Sequence, residues 1–160
     1  MNKTKNDLSA ETRQAMTDLL NARLADAVDL LSQTKAAHWN VKGPSFIGLH
    51  ELFDKVYEYV GEAVDLIAER RVQLGGVALG TVRVAAKAST LKEYPSDIKA
   101  GLDHVEALSE RLASFGKQTR AAIDTADEAG DADTADMFTD ISREIDKWLW
   151  FVESHNGASK

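Results

Sequence analysis

Apolar and small residues return at every third or fourth position along most of this chain, which is the period of an amphipathic helix. From Leu20 the steps run through Leu24, Ala27 and Leu31 to Thr34 and His38, which predicts a first helix from near Ser9 to near Asn40. Val41-Lys42-Gly43-Pro44 breaks it, because glycine frees the backbone and proline cannot continue a helix. Ser45 is a candidate N-cap for a second helix. That helix is striped by Leu49, Phe53, Val56, Val60, Ala63, Ile67 and Leu74, and Gly75-Gly76 ends it. Val77 to Tyr94 holds no sustained period and reads as a long connection carrying a short helix around Val82 to Ala88. Pro95 and Ser96 are expected to open a third long helix with Ile98, Leu102, Val105, Leu108, Leu112, Phe115 and Thr119 on one face. It closes near Gly130. Asp131 or Asp133 then caps a fourth, with Phe138, Ile141, Ile145, Trp148 and Val152 as its face. No strand-like alternation persists anywhere.

Four long amphipathic helices in one domain predict an all-α four-helix bundle. The first and second helices, and the third and fourth, are joined by short turns and so form antiparallel hairpins. The middle connection is long enough to cross the bundle. One long crossover is the ferritin-like connectivity, not the simple up-and-down one. The expected division is a short flexible N-terminal tail over residues 1–8, the bundle over 9–156, and a short tail over 157–160.

Composition narrows the chemistry. The chain has 160 residues, 44% hydrophobic and 28% charged, an ordinary composition for one globular domain. No apolar run approaches the roughly 18 residues of a membrane span, and the first residues, MNKTKNDLSAETR, lack the apolar stretch of a secretory signal. A cytoplasmic location is expected. The chain contains no cysteine, so disulfides, thiolate ligands and a cysteine nucleophile are excluded. A metal would have to be held by His, Asp and Glu, which suits iron, manganese or zinc. The net charge of −7 suits the handling of cations and disfavours attraction of the protein body to DNA.

The Glu-x-x-His motif that places two irons inside a ferritin-like bundle does not occur in this sequence. Candidate ligands lie elsewhere: His38 late in the first helix, and His50, Asp54, Asp65 and Glu69 on the second. His50 and Asp54 are one turn apart on one face, and so are Asp65 and Glu69. Asp54 and Asp65 differ by only about 20° around the axis but lie about 16 Å apart along it, so one ion cannot bridge them in one chain. The two pairs share a midpoint between Tyr59 and Val60. Two antiparallel copies of this helix about a dyad there would bring His50 and Asp54 of one chain to Asp65 and Glu69 of the other, giving two identical sites. Gly61 would let the helices approach. The alternative for each residue taken singly is a solvated helix face, with His50 and Asp54 sharing a surface hydrogen bond.

Three segments carry a family resemblance: AAHWNVKGPSFIGLHELFD (Ala36 to Asp54), DLIAERRVQLGGVALGT (Asp65 to Thr81) and DTADMFTDISREIDKWLWFVES (Asp133 to Ser154). They resemble the Dps proteins, named for DNA protection during starvation, over nearly the whole chain from about Asp7. The resemblance implies a homo-dodecamer around an iron-oxide cavity, with a ferroxidase site shared by two subunits. His38, His50 and Asp54 would come from one subunit, and Asp65 and Glu69 from its dyad mate. Each site would take two irons, which zinc or another divalent ion could replace. Trp39 would lie beside the site, although plain interface packing also accounts for it. The resemblance further implies hydrogen peroxide as the oxidant of Fe(II). Asp131, Asp136 and Asp140 would line a three-fold pore that admits cations, or else complement the N-terminus of the last helix. DNA binding in the family often uses a lysine-rich tail; here only Lys3 and Lys5 precede the match, so a nucleoid role is the alternative function. His104 and His155 fall outside the motifs and read as surface histidines.

Overall fold

The structure is a computed structural model that describes residues 1–157; the last three positions of the expected C-terminal tail lie outside the described residues. Five helices follow in order: α1 (Ala10–Asn40), α2 (Phe46–Gln73), α3 (Val82–Ala88), α4 (Gly101–Glu128) and α5 (Ala132–Glu153). Among the described residues there is no strand beyond one isolated bridge. The chain is all-helical and ferritin-like, as its periodicity predicts.

The helix starts have local causes. The Ser9 hydroxyl accepts the Thr12 N–H at 3.0 Å and caps α1. The Asp131 carboxylate accepts the Thr134 N–H at 3.1 Å and caps α5. These side chains satisfy donors that a helix start leaves free. The α2 stripe is buried as predicted, from Leu49 through Ile67 and on to Leu74, and α5 buries Phe138, Ile141, Ile145 and Val152. Trp148 is only partly buried and packs at the edge of this core.

The start of α4 differs from expectation. The helix begins at Gly101, not at Pro95 or Ser96, because the segment before it is held against the α1–α2 turn. Lys42 and Ala100 form a parallel bridge. A side chain at Gly101 would meet the Leu49 Cδ1 at 2.8 Å and the Lys42 carbonyl oxygen at 3.3 Å. A Cβ there would displace the buried Leu49 side chain and crowd the Lys42 carbonyl, so glycine suits this close approach. Ile98 therefore belongs to the crossover, and Leu102 in the first turn is 56% exposed.

The same bridge fixes the topology. It sets the start of α4 beside the start of α2, while the far end of α2 lies about 40 Å away at 1.5 Å per residue. Residues 74–100 return along that length, so α2 and α4 run parallel. Packing pairs α1 with α2, α4 with α5, α1 with α4 and α2 with α5, and α3 lies on α1. The crossover is anchored by Asp26 of α1, whose side chain is fully buried. Its carboxylate accepts the Thr90 N–H at 2.7 Å and the Thr90 hydroxyl at 3.0 Å, and pairs with Arg23 at 2.8 Å. A buried carboxylate is tolerable when its oxygens are met this way.

The N-terminal segment lies against the bundle. The Asn2 N–H donates to the Gly75 carbonyl at 2.7 Å, and Leu8 packs on the core. Gly75 has φ +91° and the Asn2 oxygen where a Cβ would stand, at 2.7 Å. Glycine there both ends α2 and admits the tail.

Candidate metal centre

The turn at residues 41–45 folds the end of α1 onto the beginning of α2 and brings His38 against His50. Their rings stack with centroids 3.7 Å apart. Each Nδ1 lies 2.8 Å from the backbone carbonyl oxygen of the other residue. A carbonyl can only accept, so both Nδ1 atoms carry the proton. With Nδ1 carrying a proton, the lone pair that a metal would use is the one on Nε2. That is how histidines are oriented when they bind metal. Phe46 lies 5.0 Å from the His50 ring and flanks the pair.

Asp54 stands one helical turn beyond His50. Its carboxylate is ion-paired with Lys35 of α1 and is 3.8 Å from the His38 Nδ1. The hydrogen bond from Lys35 holds the Asp54 carboxyl below its ordinary range, against a smaller opposing effect of burial, with His38 and His50 adding to the depression. Lys35 also lies 4.5 Å above the Tyr57 ring. The sequence reading missed Lys35; its position one turn before His38 was the available signal. Two imidazoles and one ionised carboxylate thus lie near one another at one end of the bundle without converging on one point; nitrogen and oxygen donors of this kind suit Fe(II).

Asp65 and Glu69 are exposed on α2. By the helical rise Asp65 lies about 16 Å along the axis from Asp54, and Glu69 about 28 Å from His50. Among the described residues of a single chain, no three or more of His, Asp and Glu converge on one point to hold an ion. Trp39 is 68% exposed, projecting beside His38.

The other candidates divide. Asp131 is 2% exposed and pairs with Arg70 at 2.7 Å while capping α5, so its carboxylate is engaged inside the chain. Asp136 and Asp140 are exposed, Asp140 with Arg143 at 3.0 Å. Lys3 and Lys5 are exposed. His155 is exposed as predicted, but His104 is not a surface residue: it is 1% exposed and bonded through Nδ1 to the Tyr94 hydroxyl at 2.7 Å. Its place one turn before Leu108 puts it on the buried stripe of α4.

Comparison with known proteins gives the family. The ferritin-like domain family, described as Ferritin, matches residues 17–158. A curated relative from Agrobacterium fabrum (strain C58), named DNA protection during starvation protein, is 49% identical over 153 residues, which is 96% of this chain and 94% of the relative. The chain belongs to the Dps family of ferritin-like proteins. Among solved structures, a Dps from Mycobacterium smegmatis superposes with a TM-score of 0.93 at 31% identity, over 99% of this chain and 96% of the other. A Dps from Vibrio cholerae O1, described as a member of a broad superfamily of ferritin-like diiron-carboxylate proteins, gives 0.88 at 27% identity, with 96% of each covered. Among the described residues, no helix is long and apolar enough to cross a membrane.

Proposed function

We propose that this protein is a cytoplasmic ferroxidase and iron store that oxidises Fe(II) with hydrogen peroxide at sites shared by two subunits and holds the Fe(III) inside a hollow dodecamer, protecting DNA and the cell from oxidative damage. The observation that carries the proposal is the His38–His50 pair, whose Nδ1 protons are committed to backbone carbonyls beside the ionised Asp54. That half-site is short of ligands. Asp65 and Glu69 of a second copy, set symmetrically about Tyr59 and Val60, complete it in this reading.

The chain's own residues then have distinct tasks. The Nε2 atoms of His38 and His50 bind substrate Fe(II) as neutral donors. Asp54, with the partner copy's acidic pair, supplies the negative charge that favours the Fe(III) product. Lys35 balances Asp54 until a cation takes its place. Two Fe(II) held together each give up one electron; the peroxide O–O bond breaks on taking both, and with two protons yields two waters. No hydroxyl radical is released. Asp136 and Asp140 belong to the proposed cation pore; Asp131, bound to Arg70, supports that wall from within. A second reading, binding of DNA, is favoured by the exposure of Lys3 and Lys5.

The test is anaerobic loading with Fe(II) followed by peroxide, with both consumed species measured. Two irons oxidised per peroxide, without trapped hydroxyl radical, is expected. One iron per peroxide with trapped radical, or a rate equal to that of free Fe(II), would contradict the proposal.

A further inference from the structure

At the end of the bundle where α1 turns into α2 and α4 begins, a cavity of about 350 Å³ opens between α1 and the crossover. Its polar lining comes from Asn40, Lys42, Tyr94, Ser96, Lys99 and His104, and no carboxylate lines it. Lys42 and Lys99 are the charged residues of this wall, on a chain of net charge −7, and the carboxylate that acts on it is Asp103, in the first turn of α4, which opposes the effect of burial on His104.

The Tyr94–His104 pair adds a donor. The Tyr94 hydroxyl and the His104 Nδ1 are 2.7 Å apart, and the His104 Nε2, on a residue 1% exposed, has no hydrogen-bond partner among the described residues. Burial lowers the basicity of His104 and keeps its ring neutral. Burial likewise pushes the Tyr94 phenol up, so it keeps its proton. The pair therefore owns two hydrogens, one on the hydroxyl and one on the ring, and uses one in their mutual bond. If the hydroxyl donates, the other hydrogen is on Nε2; if Nδ1 donates, it is on the hydroxyl. In both cases one donor remains on a residue of the cavity wall, and a buried donor without an acceptor is costly. α4, which starts at this cavity, has Ala100 at its N-cap and hence no side-chain acceptor there. The positive end of this 28-residue helix favours an anion, an effect that Asp103 in its first turn partly offsets.

We propose that this cavity binds a small free oxyanion of the phosphate class, one per chain, between Lys42 and Lys99 and against the leftover hydrogen of the Tyr94–His104 pair. The donor belongs to a half-buried or buried residue at the wall of the cavity, which suits a small free anion that can enter it rather than a phosphate held in a nucleic-acid backbone. The site is separate from the His38–His50 centre and does not rest on the proposed iron chemistry.

The experiment is equilibrium dialysis of radiolabelled inorganic phosphate against the full-length, iron-free protein, since ferric iron would itself take up phosphate. Saturable binding of about one phosphate per chain, at millimolar affinity or tighter, is expected. Lys99→Gln should weaken it about 10-fold, the worth of one charge-assisted contact. His104→Phe, which keeps a ring but removes the donor, should weaken it too; if that variant does not fold, Lys42→Gln/Lys99→Gln serves in its place and should abolish saturation. Lys87→Gln, on the exposed face of α3, should leave binding unchanged. Absence of saturation up to about 10 mM phosphate, or equal binding by wild type and the Lys99 variant, would overturn the proposal. Displacement of the phosphate by a short DNA duplex would overturn the assignment to a free anion.

Discussion

A histidine held inside a helical bundle makes stability depend on pH, and His104 is in that position. Burial lowers its pKa in the folded chain relative to the ordinary value of about 6.5 that it recovers on unfolding. The unfolded chain therefore takes up a proton that the folded chain resists. Stability from this residue is present above the unfolded pKa and is lost as the pH falls from about 6.5 towards the lower folded value. Thermal unfolding of wild type and His104→Phe from pH 7.5 to 5 should show the wild-type midpoint falling more steeply; parallel curves would contradict the assignment. At this scale the sequence was partly readable. Helical spacing placed His50 and Asp54 on one face, and they are on one face. The mutual pinning of His38 and His50 through backbone carbonyls was not readable, because it depends on how the turn at 41–45 closes. Nor was the Lys35–Asp54 pair, which joins residues of two different helices.

Elements were legible where their burial is one-sided and their caps are local. α2 and α5 show a clean stripe, and Ser9 and Asp131 mark two helix starts. α4 was misread at its start because Ile98 continues the helical period of Leu102 and Val105, although the bridge of Ala100 to Lys42 keeps the residues before Gly101 out of the helix. A tertiary contact overrode a local pattern. α1 hid its own polar anchor: Asp26 occupies a buried position that a periodicity reading leaves polar and outside the core. Asp131 shows how one residue serves two elements. Its carboxylate caps α5 and also receives Arg70 from the last turn of α2. Asp131→Ala removes the cap and leaves Arg70, 12% exposed at its side chain, without its main partner. A loss of about 3 kcal/mol is expected, from about 1 for the cap and the remainder for the stranded charge. Denaturation midpoints at one fixed protein concentration would measure it, and a change under about 0.5 kcal/mol, the usual range for surface substitutions, would rule out the coupling.

For the whole molecule, the long crossover and the dyad on α2 were both inferred from spacing. The crossover is visible in a single chain; the dyad is a property of two. The tail bears on the second function. Met1 to Asn6 carries Lys3 and Lys5, and Asn2 is tied to Gly75. If the lysines bind DNA, a gel shift at low salt should disappear on deleting residues 1–6, and in the full chain it should weaken steeply as salt rises through counterion release. An undiminished shift by the truncated protein would move DNA binding to another surface. The central claim, that one site is built by two chains, is tested most directly by co-assembly. His50→Ala/Asp54→Ala and Asp65→Ala/Glu69→Ala should each lose rapid peroxide-dependent iron oxidation as homo-oligomers. In a mixed dimer, one site receives His50 and Asp54 from one parent and Asp65 and Glu69 from the other, and its mate lacks all four. Random equal mixing makes mixed dimers half the time, so intact mixed shells, verified by native mass as dodecamers, should recover about a quarter of the native rate. Intact mixed shells with no recovery, alongside normal behaviour of wild type mixed with either variant, would contradict the sharing of ligands across the dyad.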